Sequence, residues 1–219
     1  MDSGHHSQAD MKSQDIVILF KLISLDLQAR EERANQRDTE EANLNQPQDW
    51  KGWEDTVDED PIIPNSESYS VRALSASLAL SKSEVSNSLN RCRDIGLIHN
   101  DRVSGQPIVR SDALLDFVRY GIRYVFPAKP GPVVRGIPTA FAAPVLAGKV
   151  ISGGDLIPVW PDAYGKNKGQ EITPLYKTVP GAVKKDERLY HFLALVDAIR
   201  IGGPREAKVA DAMLREWIL

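Results

Sequence analysis

The 219-residue sequence predicts a mainly α protein with one small β-hairpin and a Pro/Gly-rich irregular plus helical region toward its C-terminal end. Three observations predict it. Apolar residues recur at helical spacing in residues 13–28, 111–124 and 183–201. Between the first two stretches lie a pair of short amphipathic segments with cap signals and then two short β-type runs around a glycine turn. From residue 127 to residue 180 there are nine prolines with interleaved glycines, which excludes long helices there.

Taken in order, residues 1–12 read as a polar tail. Residues 13–28 form the first helix: Ser13 is placed to cap it, Asp15 suits its first turn, and Ile16, Phe20, Ile23 and Leu27 repeat on one face. Val17, Ile18, Leu19, Leu22 and Leu25 widen that face almost to the full circumference, as in a helix buried inside a core or across a dimer interface. Residues 29–68 read as an acidic linker or surface loop carrying Trp50 and Trp53. From residue 30 to residue 60 there are 11 acids against four bases, a charge of −7.

Residues 69–126 carry the most specific signals. Ser70 caps a short helix with Val71, Leu74 and Leu78 on its apolar side. After Leu80, Ser81-Lys82-Ser83-Glu84 is a capping box, so a second helix starts there. Val85, Leu89 and Cys92 form its inner stripe, and Gly96 provides a left-handed stop. Two short helices joined by about four residues have helix-turn-helix spacing. Residues 97–99 and 107–109 then read as strands of a wing closed around Gly105.

The stretch VRALSASLALSKSEVSNSLNRCRDIGLI resembles the winged helix-turn-helix of bacterial transcription regulators, broadly the MarR-like group. It matches their Leu-Ala, Leu-Ser-x-Ser-x-Val-Ser, Leu and Gly-Leu habit over about 40 residues. It departs at Ala79, where such turns usually carry glycine. The resemblance implies a regulator that binds double-stranded DNA, and a homodimer, since one recognition helix reads only a half-site.

With Val85, Leu89 and Cys92 inward, helical geometry turns Ser83, Ser86, Asn87, Asn90 and Arg91 outward. Asparagine suits adenine and arginine suits guanine in the major groove. Lys82 and the first-turn amides are assigned to a phosphate, and Arg102 at the wing tip to a minor groove or backbone. Residues 70–110 carry six bases against three acids, a local +3, within a chain whose net charge is only −3. Cys92 reads as a small core residue and His99 as an incidental wing residue.

After the wing, residues 111–124 read as a helix capped by Ser111, with Leu114, Leu115, Val118 and Ile122 inward and Phe126-Pro127 as its end. Residues 127–219 form the last region. Its Pro-rich part reads as an ordered irregular layer, with 145–151 a doubtful strand and 165–169 a hairpin tip whose Lys166 and Lys168 offer a further phosphate contact. Residues 183–201 return to helix and stop at Gly202-Gly203, and Pro204 opens a last helix whose inner face holds Val209, Met213 and Trp217.

Other classes find little support. One cysteine excludes an intramolecular disulfide, and four dispersed histidines argue against a zinc site. No nucleophile stands with a base, and the 165–169 glycines lack the Gly-Lys-Ser/Thr ending of a phosphate loop. Neither an enzyme nor a cofactor is expected. The longest apolar run, 16–20, is far too short to span a membrane, and the first ten residues are polar and acidic, unlike a secretory signal, so the cytoplasm is the expected location. The alternative function is a protein-binding adaptor, antitoxin-like, that grips a partner through residues 188–219 and represses its own operon. A ligand sensor using the Pro-rich region is a third.

Overall fold

The structure, a computed structural model, describes residues 10–35, 67–150 and 156–219. The two tryptophans and most of the acidic stretch lie outside the described residues.

Helix α1 (Ser13–Asn35) runs seven residues past the expected end, because 29–35 contains Ala, Arg and Glu, all good helix formers, and no breaker. Ser13 is its first residue, not its cap; Asp15 serves instead, accepting from Lys12 N at 2.8 Å. Ile16 to Phe20, Leu22 and Ile23 are all buried within this single chain. Leu25 and Leu27, on the same apolar face, are half-buried.

Helices α2 (Val71–Leu78) and α3 (Lys82–Asp94) lead into a two-stranded sheet, β1 (Ile98–Asn100) antiparallel to β2 (Pro107–Val109). Helix α4 (Ser111–Tyr120) follows directly. Ser111 lies inside it; the cap position is Arg110, which makes no side-chain cap bond. The segment expected to be one helix through residue 124 is broken at Gly121, where a Cβ would stand 3.0 Å from the Phe117 ring, and α5 (Ile122–Val125) is a separate turn.

The Pro-rich region is more regular than the sequence suggests. β3 (Pro130–Pro138) pairs antiparallel with both β4 (Pro158–Pro161) and β5 (Asn167–Ile172). β4 and β5 pair parallel, so the three strands close on themselves. Glycine makes this closure possible: a Cβ on Gly136 would lie 1.9 Å from the Trp160 carbonyl oxygen, and one on Gly169 2.1 Å from that of Ile157. Residues 145–151 are not a strand: Pro144–Leu146 is a 3-10 turn, Ala147 to Lys149 a turn, and 151 lies outside the described residues. The expected hairpin tip at 165–169 is the approach to β5 and its first residues.

A short α6 (Val179–Val183) precedes α7 (Glu187–Ile201), which starts later than expected because Asp186 caps it, accepting from Leu189 N at 2.9 Å. The same carboxylate takes Lys21 Nζ at 2.8 Å and Ser24 Oγ at 3.0 Å, locking α1 to α7. Every residue from Phe192 to Arg200 is buried, so α7 is the central helix of the core and much of the segment assigned to an adaptor's partner is interior. α8 (Pro204–Ile218) packs on α7 and α4. Its buried positions are Ala210, Asp211, Met213, Leu214 and Ile218, so Met213 of the expected stripe is buried while Val209 and Trp217 are only half-buried.

One contiguous apolar cluster joins α1, the α2–α5 segment, the three-stranded sheet and α7–α8. A buried polar knot fastens the sheet to α7. Asp197 accepts from Trp160 Nε1 at 2.6 Å, Thr139 Oγ1 at 3.1 Å and Arg200 Nη1 at 2.6 Å, and Arg200 also donates to the Phe126 carbonyl at 2.9 Å. Burial raises the Asp197 carboxyl above its ordinary range, and these donors oppose the rise.

Candidate nucleic-acid interface

The candidate site is the outer face of α3 and the hairpin behind it. Ser70 Oγ accepts from Ala73 N at 3.1 Å to start α2, and Leu74 and Leu78 bury its inner side. The turn out of α2 is made by Ala79 in the left-handed region, at φ 50° and ψ 40°. That is a conformation glycine adopts freely and alanine adopts against its Cβ. The turn is held by Leu80 N on the Ser75 carbonyl and by Ser75 Oγ on the Leu80 carbonyl at 2.6 Å.

The capping box forms in full. Ser81 N donates to Glu84 Oε2 at 2.8 Å and Glu84 N to Ser81 Oγ at 3.2 Å. A third donor arrives from far along the chain, as Tyr176 Oη reaches Glu84 Oε1 at 2.7 Å. The Ser81 amide first, then the Tyr176 hydroxyl, hold the Glu84 carboxyl down to about 2. Lys177, exposed beside this point and 5.9 Å from the Tyr176 ring, adds positive charge at the start of α3.

On α3 the buried positions are Val85, Ser88, Leu89 and Cys92. Burial raises the Cys92 thiol to about 12, so it packs as an inert side chain. Lys82, Ser83, Ser86, Asn87 and Asn90 are all exposed on the outer side. They form one polar face of donors and acceptors, the residue types that reach base edges and phosphates.

Arg91 is not on that face. Its Nε donates to Asp15 Oδ2 at 3.0 Å and its Nη2 to Asp15 Oδ1 at 2.5 Å, and the Asp15 side chain has no exposed surface. Ser88 Oγ donates to the same carboxylate. The helical projection turned Arg91 outward, but the buried acid on α1 draws its long side chain inward.

Arg93 takes the exposed place instead. Its Nη1 donates to Asn90 Oδ1 at 3.1 Å and its Nε approaches Asn100 Oδ1 at 3.4 Å, tying α3 to β1. Its spacing from Asn90, one helical turn, was available in the sequence. Lys177 was not foreseeable, being brought in by a contact between residues 92 positions apart.

In the hairpin, Ile98 pairs with Val109, His99 with Ile108 and Asn100 with Pro107. The loop is held by Asp101, whose Oδ2 accepts from Ser104 N at 2.8 Å and Ser104 Oγ at 2.7 Å, and these bonds lower its carboxyl pKa. Gly105, at φ +69°, makes the return. Arg102 stands exposed at the tip beside Val103, which is 97% exposed. Between the hairpin and α1 lies a groove of about 520 Å³, with Leu22, Asp26, Pro107 and Ile218 in its walls.

No helix among the described residues is long and apolar enough to cross a membrane, and none of them form a cluster of His, Cys, Asp or Glu that could hold a metal ion. No protein-family model, curated protein or solved structure matches this chain.

Proposed function

We propose that the chain is a sequence-specific duplex-DNA-binding regulator of the winged helix-turn-helix kind. In this reading α3 is the recognition helix and the β1–β2 hairpin is the wing. The observation that carries it is the division of α3: four positions are sealed in the core, while Lys82, Ser83, Ser86, Asn87 and Asn90 stand uncovered and polar along the opposite side. Every surface helix has a polar outer side; what favours DNA is this face beside the exposed Arg93 and the Arg102-bearing hairpin, with the local +3 charge of residues 70–110. Asn87 and Asn90 read base edges, Ser83 and Ser86 support them, and Lys82, Arg93 and Arg102 hold phosphates. Two copies on a two-fold symmetric site double the contacts and set the half-site spacing.

The test is duplex binding as a function of salt. The wild-type chain binds duplex DNA with a steep fall of log K against log salt, and Lys82→Gln or Arg102→Gln each flattens that slope by about 0.9. No measurable duplex binding near 0.1 M salt rejects the reading and moves the choice to a protein partner.

A further inference from the structure

Around the axis of α3 the exposed asparagines stand between two unlike edges. Of the three bases on the helix, Lys82 and Arg93 fall on one edge, while Arg91 falls on the other beside Glu84. The buried Asp15 draws Arg91 away through bonds of 2.5 and 3.0 Å, so α3 itself turns no cation outward on that second edge. A helix lying in the major groove has a phosphate backbone on each side, because the two strands form the walls of the groove. The second edge thus presents a carboxylate where one row of phosphates would run.

The chain supplies a cation there from a segment 92 positions away. Glu84 Oε2 accepts from Ser81 N at 2.8 Å and Oε1 from Tyr176 Oη at 2.7 Å, so both carboxylate oxygens are engaged. Lys177, next in sequence to Tyr176 and exposed, is near enough for its charge to favour the ionised Glu84. Its backbone is held from both sides: Leu175 and Val179 are buried, and α6 packs on α2, the helix that precedes α3. The lysine therefore stands at a fixed place beside the second edge, and its flexible stem lets the ammonium turn toward an arriving anion.

We propose that Lys177 binds a backbone phosphate on the duplex strand opposite to the one met by Lys82 and Arg93, and that the Tyr176–Glu84 hydrogen bond positions it there. The inference rests on the reading of α3 as a recognition helix lying in a duplex. A phosphate reaching this edge meets an ammonium that binds it as a point charge, beside a carboxylate already engaged by two donors. The contact is independent of sequence. It adds affinity and salt dependence to whatever α3 reads, and it makes the segment around Tyr176 part of the DNA-binding surface.

The experiment measures binding of the full chain to a random-sequence duplex over a salt series. It compares wild type, Lys177→Gln, Lys177→Arg, Tyr176→Phe and the double variant Tyr176→Phe with Lys177→Gln, and takes Lys82→Gln as the reference. Thermal unfolding of Lys177→Gln should match wild type, since the side chain is exposed. Lys177→Gln should bind about threefold or more weakly at low salt and flatten the slope of log K against log salt by about 0.9, and Lys177→Arg should restore both. Tyr176→Phe keeps the ring and removes the hydroxyl. It should weaken binding too, and the double variant should be no weaker than Lys177→Gln alone, as for two residues acting through one contact. A loss that Lys177→Arg does not restore, or additive losses in the double variant, would overturn the inference. Wild-type affinity and slope in Lys177→Gln, with a flattened slope in Lys82→Gln, overturns the role of Lys177 and keeps α3 in the duplex. Absence of duplex binding by the wild-type chain overturns both.

Discussion

Asp15 on α1 and Arg91 on α3 form a two-bond ion pair, at 2.5 and 3.0 Å, whose carboxylate is wholly buried. It couples the first helix of the chain to the candidate recognition helix 76 residues later. The pair ties α3 to α1 beside the buried positions Val85, Ser88, Leu89 and Cys92.

Removing one partner leaves the other charge in the interior without compensation. Asp15→Ala should cost about 3 kcal/mol of stability, at the low end for a buried pair because Arg91 keeps 13% of its side-chain surface exposed. Urea unfolding measures this; a loss below about 1 kcal/mol would show that the pair is not structural. Arg91→Ala should likewise lower stability and leave base preference unchanged.

The exposed asparagines separate base reading from phosphate binding. Asn87→Ala and Asn90→Ala should each weaken a preferred duplex by about 1 to 3 kcal/mol and alter random-sequence binding little. Selection of a preferred duplex from a random pool, followed by titration of each variant, gives the comparison. Equal losses on both duplexes would reassign these residues to the backbone.

Ala79 holds a left-handed turn at φ 50°, and its side chain is exposed. Ala79→Gly should therefore stabilise the chain by about 0.5 to 1 kcal/mol, the relief of Cβ strain exceeding glycine's greater unfolded-state entropy. Thermal unfolding reads the sign. A destabilisation would mean that the turn carries no strain.

Glu84 ties the start of α3 to Tyr176, and its carboxyl is lowered from 4.5 to about 2. A depressed native pKa contributes stability that is present above the unfolded value and lost as pH falls toward the native one. The wild-type unfolding midpoint should thus drop more steeply than that of Glu84→Gln between about pH 4.5 and pH 2. Parallel pH profiles for the two proteins would remove Glu84 from the acid response.

Local signals determined much of this protein. The capping box at Ser81 and Glu84, the Gly96 and Gly105 turns, Pro204 at the start of α8 and the buried stripe Val85, Leu89 and Cys92 all act within a few residues, so they are legible in one dimension. The exposed face from Lys82 to Asn90 follows from that stripe by helical geometry alone. Tertiary structure decided the rest. The sequence left α1 open between core and dimer interface, and only the packing of α3 and α7 against it shows that Ile16 to Phe20, Leu22 and Ile23 are buried in the core. Arg91 belongs to an outward set by its position on the helix, yet a buried carboxylate in a distant segment reverses it, since desolvation makes an unpaired Asp15 untenable. The glycines at 136, 165 and 169 read as loop residues because their reason is the approach of another strand's carbonyl, a contact that no local spacing encodes. The same closure sets Lys168 directly opposite Arg135 across the sheet, with Lys166 in the bend just ahead of the strand, and register between strands, set by glycine and burial together, is what places Lys168 there.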